Sequence, residues 1–168
     1  AMVDLDATAT TSAGVAGSGT TGAFAGAEGV AGLDVTMADG DTSSIGADAT
    51  VTTLAQVDAN AVASSTEGNA DAEAGDLSGA ATGVGSSTMN VVGFRSNETF
   101  SVGDAANLNT DASVDLVATA TSTSGVADAD ARLTNAAGLA QTGTFNIGAG
   151  ATIDADSVIT GDADASST

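Results

Sequence analysis

Residues 44–74 and 101–131 are two copies of one passage, and this internal repeat constrains the fold more than any other feature of the chain. Aligned without a gap, the two copies are identical at 16 of 31 positions. A third copy, residues 146–168, matches the start of the first at 10 of 23 positions. A fourth lies at the N-terminus, where Val3–Ala16 matches Val114–Ala127 at 10 of 14 positions. Such self-similarity predicts a repeat architecture in which each copy forms one structural unit.

The repeat divides the chain into a half copy, two full copies and another half copy. We predict a single domain over residues 1–168, with internal boundaries where the copies begin. The half copies are 3–43 and 146–168, and the full copies are 44–100 and 101–145.

Apolar and polar side chains alternate within the copies. In the first full copy, every second position from Ile45 to Ala63 is Ile, Ala, Val or Thr, and the residues between are mostly polar or small. A period of two with one apolar face is typical of β-strands, because successive side chains of a strand point to opposite faces. The Gly, Thr and Asp content also disfavours helix. The sequence therefore predicts an all-β fold.

Two arrangements of these strands are compatible with the sequence. In the first, the chain reverses near Glu67-Gly68 and Ser124-Gly125, where Gly supplies the positive φ of a tight turn, and the returning segments pair as hairpins. These hairpin quasi-repeats would pack as an elongated β-sandwich, which is the arrangement that we favour. The alternative is a β-solenoid built from shorter coils.

The solenoid alternative rests on a second spacing. Large aliphatic residues recur every six positions at Ile45, Val51 and Val57, and the fifth place of each hexad is small. The segment from Ile147 to Ile153 follows the same rule. This spacing resembles the hexapeptide signature of left-handed β-helices, and the resemblance implies triangular coils of three hexads. The acyltransferase activity found among such proteins is not implied, because the chain has no histidine to act as the base.

The charge is strongly one-sided. Asp and Glu number 22 against two basic residues, Arg95 and Arg132, so the formal net charge is -20. Such a surface repels nucleic acid and anionic membranes, so we expect neither nucleic-acid binding nor membrane insertion. Salt or bound cations, Ca²⁺ among them, are expected to screen the repulsion, and both arginines are expected in ion pairs. Without His, Cys, Lys or Tyr as nucleophile or base, we expect no enzymatic activity.

Asp39-Gly40-Asp41 is the best candidate for a Ca²⁺ site. Its two carboxylates flank a glycine in a predicted loop, and a loop can wrap carbonyl oxygens around a hard cation. The plainer interpretation of this and the other Asp pairs is a solvated acidic surface. Asn97-Glu98-Thr99 is a sequon for N-linked glycan, and the many Ser and Thr residues are potential acceptors of O-linked sugar.

The two half copies predict how the protein assembles. The N-terminal copy lacks the Ile/Val-Gly strand that opens the others, and the C-terminal copy lacks the turn and the return strand. These complementary defects predict strand edges that pair with another molecule. We expect residues 146–168 of one subunit to complete the sheet around residues 3–16 of the next, which gives an open head-to-tail homopolymer. The expected interface residues are Val3, Leu5, Ile147, Ile153, Ile159, Ala163 and Ala165.

The Ala/Thr-rich strands, the preference for Asp over Lys and the repeats together resemble secreted repeat proteins that form donor-strand pilus-like filaments of marine or halophilic microbes. The resemblance implies a structural subunit of an extracellular filament or surface fibre, and the Ala-Met start fits a mature secreted chain. Alternative functions that suit the sequence are a cation-dependent adhesin or matrix repeat domain, an ice-binding protein and a phage fibre protein.

Overall fold

A computed structural model describes residues 1–11, 20–26, 30–77 and 88–168 of the chain. These residues form eleven β-strands and no helix, so the all-β prediction is confirmed. Residues 12–16 of the N-terminal repeat lie outside the described part. The strands are β1 (Met2–Thr11), β2 (Thr20–Ala25), β3 (Val30–Val35), β4 (Thr42–Ile45), β5 (Thr50–Ser65), β6 (Asn69–Gly75), β7 (Asn90–Val102), β8 (Asn107–Ser122), β9 (Ala127–Arg132), β10 (Asn135–Ile147) and β11 (Thr152–Ser167).

The strands form three sheets that the chain visits in turn. Sheet A has the strand order β1-β5-β8-β11, and sheet B has the order β2-β6-β9. In sheet C, β10 pairs with β7, and β3 and β4 also pair with β7. The chain therefore returns to sheet A once per repeat, which is the course of a parallel coil. We number its turns coil 1 (β1–β4), coil 2 (β5–β7), coil 3 (β8–β10) and coil 4 (β11).

The predicted hairpins are wrong, because every strand pair of the described residues is parallel. β6 follows β5 along the chain, but it pairs with β2 and β9 instead of β5. Gly68 between them has the expected positive φ, 99°, and it turns the chain round a corner between two sheets. The coil of three hexads is also wrong in size, since β5 and β8 are each single strands of 16 residues.

The sequence repeat gives the register of sheet A. Val3 lies beside Val57, Val57 beside Val114, and Val114 beside Ile159. The gapless alignment of the repeats places the same four residues in one column. Parallel strands in register bring like side chains together, so equivalent positions of successive copies form rows that run across the sheet.

Small side chains line the larger of two core clusters. Along β5, the predicted inward positions from Ala55 to Ala63 are buried and alternate with more exposed ones. They pack against the buried alanines of β6 and against Val91 of sheet C. Because Ala removes little apolar area from water, this part of the core is thin. Sheets A, B and C all contribute to it.

The second core cluster draws its residues only from sheets A and C and the turns between them. The ring centroids of Phe94 and Phe100 lie 4.9 Å apart in an edge-to-face contact, and Phe145 stacks on Phe100 at 5.9 Å. Phe100 is buried and Phe145 is half-buried, so the motif repeated at Thr99-Phe100 and Thr144-Phe145 supplies core residues. This half of the coil consists of two facing layers, as in a sandwich.

A ladder of glycines separates the two clusters. Gly32, Gly93 and Gly138 stand at one level of sheet C, between residue pairs that are in register. A Cβ on Gly93 would lie 2.5 Å from the carbonyl oxygen of Asp111, and one on Gly138 would lie 2.6 Å from that of Thr110. Sheets A and C therefore touch through their backbones at this waist, and only glycine permits so close an approach.

Sheet C leads back to sheet A through three stacked turns, 46–49, 103–106 and 148–151. In each, the N–H of the fourth residue donates to the carbonyl of the first at 3.3–3.4 Å. The third residue has a positive φ in all three turns: 58° at Asp48, 54° at Ala105 and 71° at Gly150. Neighbouring turns also bond to each other, for example from Ala105 N–H to Ala149 O at 2.9 Å. The turns follow directly on the predicted copy starts.

Candidate functional site at the two ends of the coil

The seven predicted interface residues lie at the two ends of the coil, on the edge strands of sheet A or next to them. Val3 and Leu5 lie on β1, Ile147 ends β10, and Ile153, Ile159, Ala163 and Ala165 lie on β11. The residues on β1 and those on β11 do not meet within one chain, since β5 and β8 lie between these strands. The structure thus gives two separate surfaces.

The terminal copies are not left wholly unpaired within one chain, which corrects part of the expectation that another molecule completes them. β1 pairs with β5, and β11 pairs with β8 along its whole length. Each terminal strand therefore has one neighbour within the chain, and its other edge has no strand partner among the described residues. Backbone N–H and C=O groups along such an edge are available to a further strand.

Coil 4 carries the side chains of an interior coil at positions where they are exposed. In one row of sheet A, Val57 and Val114 are each 1% exposed, but the next member, Ile159, is 54% exposed. In a row of sheet C, Val102 is 2% exposed and Ile147 is 58% exposed. Full burial of one such side chain stabilises by about 1.5–3 kcal/mol. A further coil placed here would gain much of that free energy.

Two other exposed apolar residues at the ends were missed from the sequence. Met2 on β1 and Val158 on β11 are 77% and 59% exposed. They are equivalent positions, because Met2 is level with Gln56, Gln56 with Ser113, and Ser113 with Val158. The repeat alignment could have identified them, because the interior coils have polar residues in this column and the end coils have apolar ones.

The outer face of sheet A carries a row of carboxylates. Asp4, Asp58 and Asp115 are neighbours in successive strands. The row ends at Thr160, whose hydroxyl donates to Asp115 Oδ1 at 2.6 Å. Adjacent strands are about 4.8 Å apart, so these like charges repel each other. Dissolved cations weaken that repulsion, so we expect the fold to gain stability with ionic strength.

A second group of acids lies on sheet B, where Asp71 is beside Asp128 and Glu73 is beside Asp130. Burial raises the pKa of Asp71, and the negative charges of Glu73, Asp128 and Asp130 raise it further, against the opposing charge of Arg132. Among the residues that the structure describes, no three acidic side chains are arranged to hold a metal ion. The effect of this group that the structure does show is the mutual repulsion that raises the pKa of Asp71.

The predicted Ca²⁺ ligands Asp39 and Asp41 lie in an exposed turn between β3 and β4. Asn97 holds this turn on sheet C: its Oδ1 accepts from Met37 N–H at 2.6 Å, and its Nδ2 donates to Met37 O at 2.8 Å. Both carboxylates face solvent, and calcium binding by them stays a prediction. A glycan on Asn97 would have to share the Nδ2 atom with the contact to Met37.

Both arginines form ion pairs, as the composition predicted. Arg132 pairs with Asp130 on the same strand, and Arg95 lies 3.6 Å from Asp34 on the neighbouring strand. Pairs as exposed as these contribute little to stability. The Arg95 pair borders a cavity of about 190 Å³ that Asn97 also lines. Small-molecule sites usually measure roughly 300–1,000 Å³, so this cavity is small for a ligand site.

No protein-family model, no curated protein and no solved structure matches this chain. Among the described residues there is no helix with the length and apolar character needed to cross a membrane. The fold and its ends define a class, a parallel β-coil whose described end strands present an open edge and exposed aliphatic side chains.

Proposed function

We propose that this protein is a structural subunit of an extracellular filament or surface fibre, in which copies join head to tail by β-strand complementation. The observation that carries the proposal is the exposure of Ile159 and Ile147 in rows whose interior members are buried. Repeat arrays that remain soluble as monomers end in caps with a polar outer face. Coil 4 has the aliphatic residues of an interior coil instead, and a further coil is the partner that fits them.

The backbone edge supports the same proposal. β11 is an edge strand of 16 residues, longer than the usual strand of about five or six. A long open edge favours pairing with another chain unless something blocks it. Here the alternate positions on the outer face of β11 include four acids, Asp154, Asp156, Asp162 and Asp164. Their charge opposes association at low ionic strength.

In the proposed filament, cations screen the repulsion between copies. With a net charge of -20, two copies repel each other over roughly a Debye length, which is about 10 Å at 0.1 M salt and shorter at higher salt. Assembly is expected where salt or Ca²⁺ screens the acidic rows, and no dedicated metal site is required. The same condition agrees with an extracellular location in saline surroundings.

Electron microscopy and analytical ultracentrifugation of the purified chain test the proposal. We expect filaments in high-salt or calcium-containing buffer, and their shortening or loss when calcium is chelated and the salt is removed. A monodisperse monomer at high protein concentration in both kinds of buffer would refute the proposal.

Ile159→Asp provides a sharper version of this test. Because Ile159 is already about half exposed, the variant is expected to fold with nearly unchanged stability and to lose filament formation. Val62→Asp is the matched control: it adds the same charge to the outer face of β5, an interior strand, in the row where β11 has Asp164. If both variants abolish filaments equally, added charge and not the end surface explains the loss.

A further inference from the structure

We infer that the junction between two copies is made by β1 of one copy lying beside β11 of the other, parallel and in the register that the coils keep within one chain. In that register Val158 lies beside Met2 of the second copy, Ile159 beside its Val3, and Thr160 beside its Asp4. The inference rests on the proposed function and specifies the partner strand of the same surface.

The exposed apolar side chains of the two ends coincide in this register. Met2 and Val158 occupy the same column of the repeat, and both are more than half exposed on the outer face of the sheet. Ile159 and Val3 occupy the next column, which faces the interior. One junction therefore covers the outward pair and the inward pair together, and a shift by a single residue would place outward side chains beside inward ones.

Packing in the row that contains Leu5 selects the same register. Along sheet A this row reads Leu5, Ala59, Leu116 and Gly161, so large and small side chains alternate from coil to coil. Leu5 of a second copy beside Gly161 continues the alternation across the junction. A Cβ on Gly161 would meet nothing nearer than Ala131 Cβ at 3.9 Å, so space for a neighbouring large side chain exists there.

Strand exchange is the competing arrangement. In it, β11 of one copy would displace β1 of the other and pair with β5. Exchange requires the loss of the existing β1–β5 pairing, which extends from Met2 to Thr11. It also places Gly161 beside Ala59, two small residues in adjacent strands, and leaves Met2 uncovered. Simple addition keeps every pairing that the isolated chain has, but it adds a strand only beside β11 in sheet A and gives Ile147, at the edge of sheet C, no new neighbouring strand among those that the structure describes.

Pairs of engineered cysteines distinguish these arrangements, because the chain contains no cysteine of its own. A disulfide needs Cα atoms within about 7 Å, which neighbouring strands at about 4.8 Å satisfy. Within one chain, Asp4 and Thr160 are three strand spacings apart, and Asp58 and Thr160 are two. A disulfide in any of these pairs must therefore link two molecules.

Three double variants are compared under mild oxidation in the buffer that yields filaments. Asp4→Cys with Thr160→Cys is expected to give a covalent ladder in non-reducing electrophoresis. Asp6→Cys with Thr160→Cys tests a register displaced by two residues, and Asp58→Cys with Thr160→Cys tests exchange; both are expected to stay monomeric on the gel.

The outcomes separate the inference from the function on which it rests. A ladder only with the Asp4 pair supports strand addition in this register. A ladder with the Asp6 or Asp58 pair, or filaments by microscopy without any ladder, overturns the register and leaves the filament proposal standing. A chain that forms neither filaments nor ladders in any buffer removes both.

Discussion

The hydroxyl of Thr110 gives the most direct test of the packing at the waist. Thr110 lies between the two core clusters, is fully buried, and its Oγ1 has no hydrogen-bond partner among the described residues. Its row neighbours are Thr53, whose hydroxyl is also buried and unpaired, and Ala155, which has no polar atom. A buried polar group without a partner costs about 1–3 kcal/mol.

Thr110→Val removes that cost with little change of shape. Val has nearly the same volume as Thr and an equally good strand propensity, so no cavity is created. We expect the variant to be more stable by about 1–2 kcal/mol. For a chain of this length the melting temperature should rise by about 2–4 °C per kcal/mol. Urea unfolding followed by circular dichroism measures the free-energy change.

Ser122→Ala is the matched control, because it removes a buried hydroxyl that does have a partner. Ser122 is buried and donates to the carbonyl of Gly68 at 2.8 Å. Its removal leaves that carbonyl unpaired and should destabilise by about 1–2 kcal/mol. The two variants are therefore expected to differ in sign. If Thr110→Val destabilises as much as Ser122→Ala does, the Thr110 hydroxyl is bonded and our account of the waist is wrong.

Three further predictions concern the turns, the waist and the acids of sheet B. Ala105→Gly should stabilise the fold by about 0.5–1 kcal/mol because Ala105 has a φ of 54°. Gly150→Ala, in the next turn, should destabilise it. Thermal melts measure both variants, and melting temperatures that shift in the same direction would contradict this prediction. Gly93→Ala should destabilise by about 3 kcal/mol, whereas Gly46→Ala, where a Cβ meets nothing within 4 Å, should be nearly neutral in urea unfolding. Because folding raises the pKa of Asp71, the protonated carboxyl favours the folded state over the unfolded chain. This stabilisation is complete below the ordinary pKa of 3.8 and is lost as the pH rises through the raised pKa. Asp71→Asn should therefore be more stable than the parent protein at neutral pH, and the difference in stability should vanish below pH 3.8. A pH series of urea unfolding midpoints measures this difference. If the two proteins have the same midpoint at every pH, the effect is excluded.

The alternation and the repeat predicted much of the fold from sequence. The alternation identified which face of β5 is buried, because it depends only on the geometry of a single strand. The gapless alignment placed Val3, Val57, Val114 and Ile159 in one column, and sheet A has the same register. The seven expected interface residues all lie at the ends of the coil. The alternation is a local signal within one strand, and the alignment compares equivalent positions of the repeat copies.

The direction of pairing and the waist were not predicted. Gly68 has the positive φ that a hairpin turn needs, but the same conformation also turns a corner between two sheets, so the residue type does not decide between them. In-register repeats are the better signal, since parallel pairing stacks identical copies. The waist also has a signal, a repeated small apolar–Gly–large apolar tripeptide. Its copies are Ala31-Gly32-Leu33, Val92-Gly93-Phe94 and Ala137-Gly138-Leu139.

The alanine-rich core is thin, and this makes the open ends of the coil important for stability. An alanine row removes little apolar area from water, so each coil depends on its neighbours above and below for backbone bonds and side-chain contacts. Among the strands that the structure describes, β5 and β8 of sheet A have a neighbour on both sides, while β1 and β11 have one. In the proposed filament, each junction would turn one strand of either copy into an interior strand, and the free energy gained would be the same at every step. Growth of such a filament would have no preferred length, and we expect the acidic rows to decide under which ionic conditions it begins.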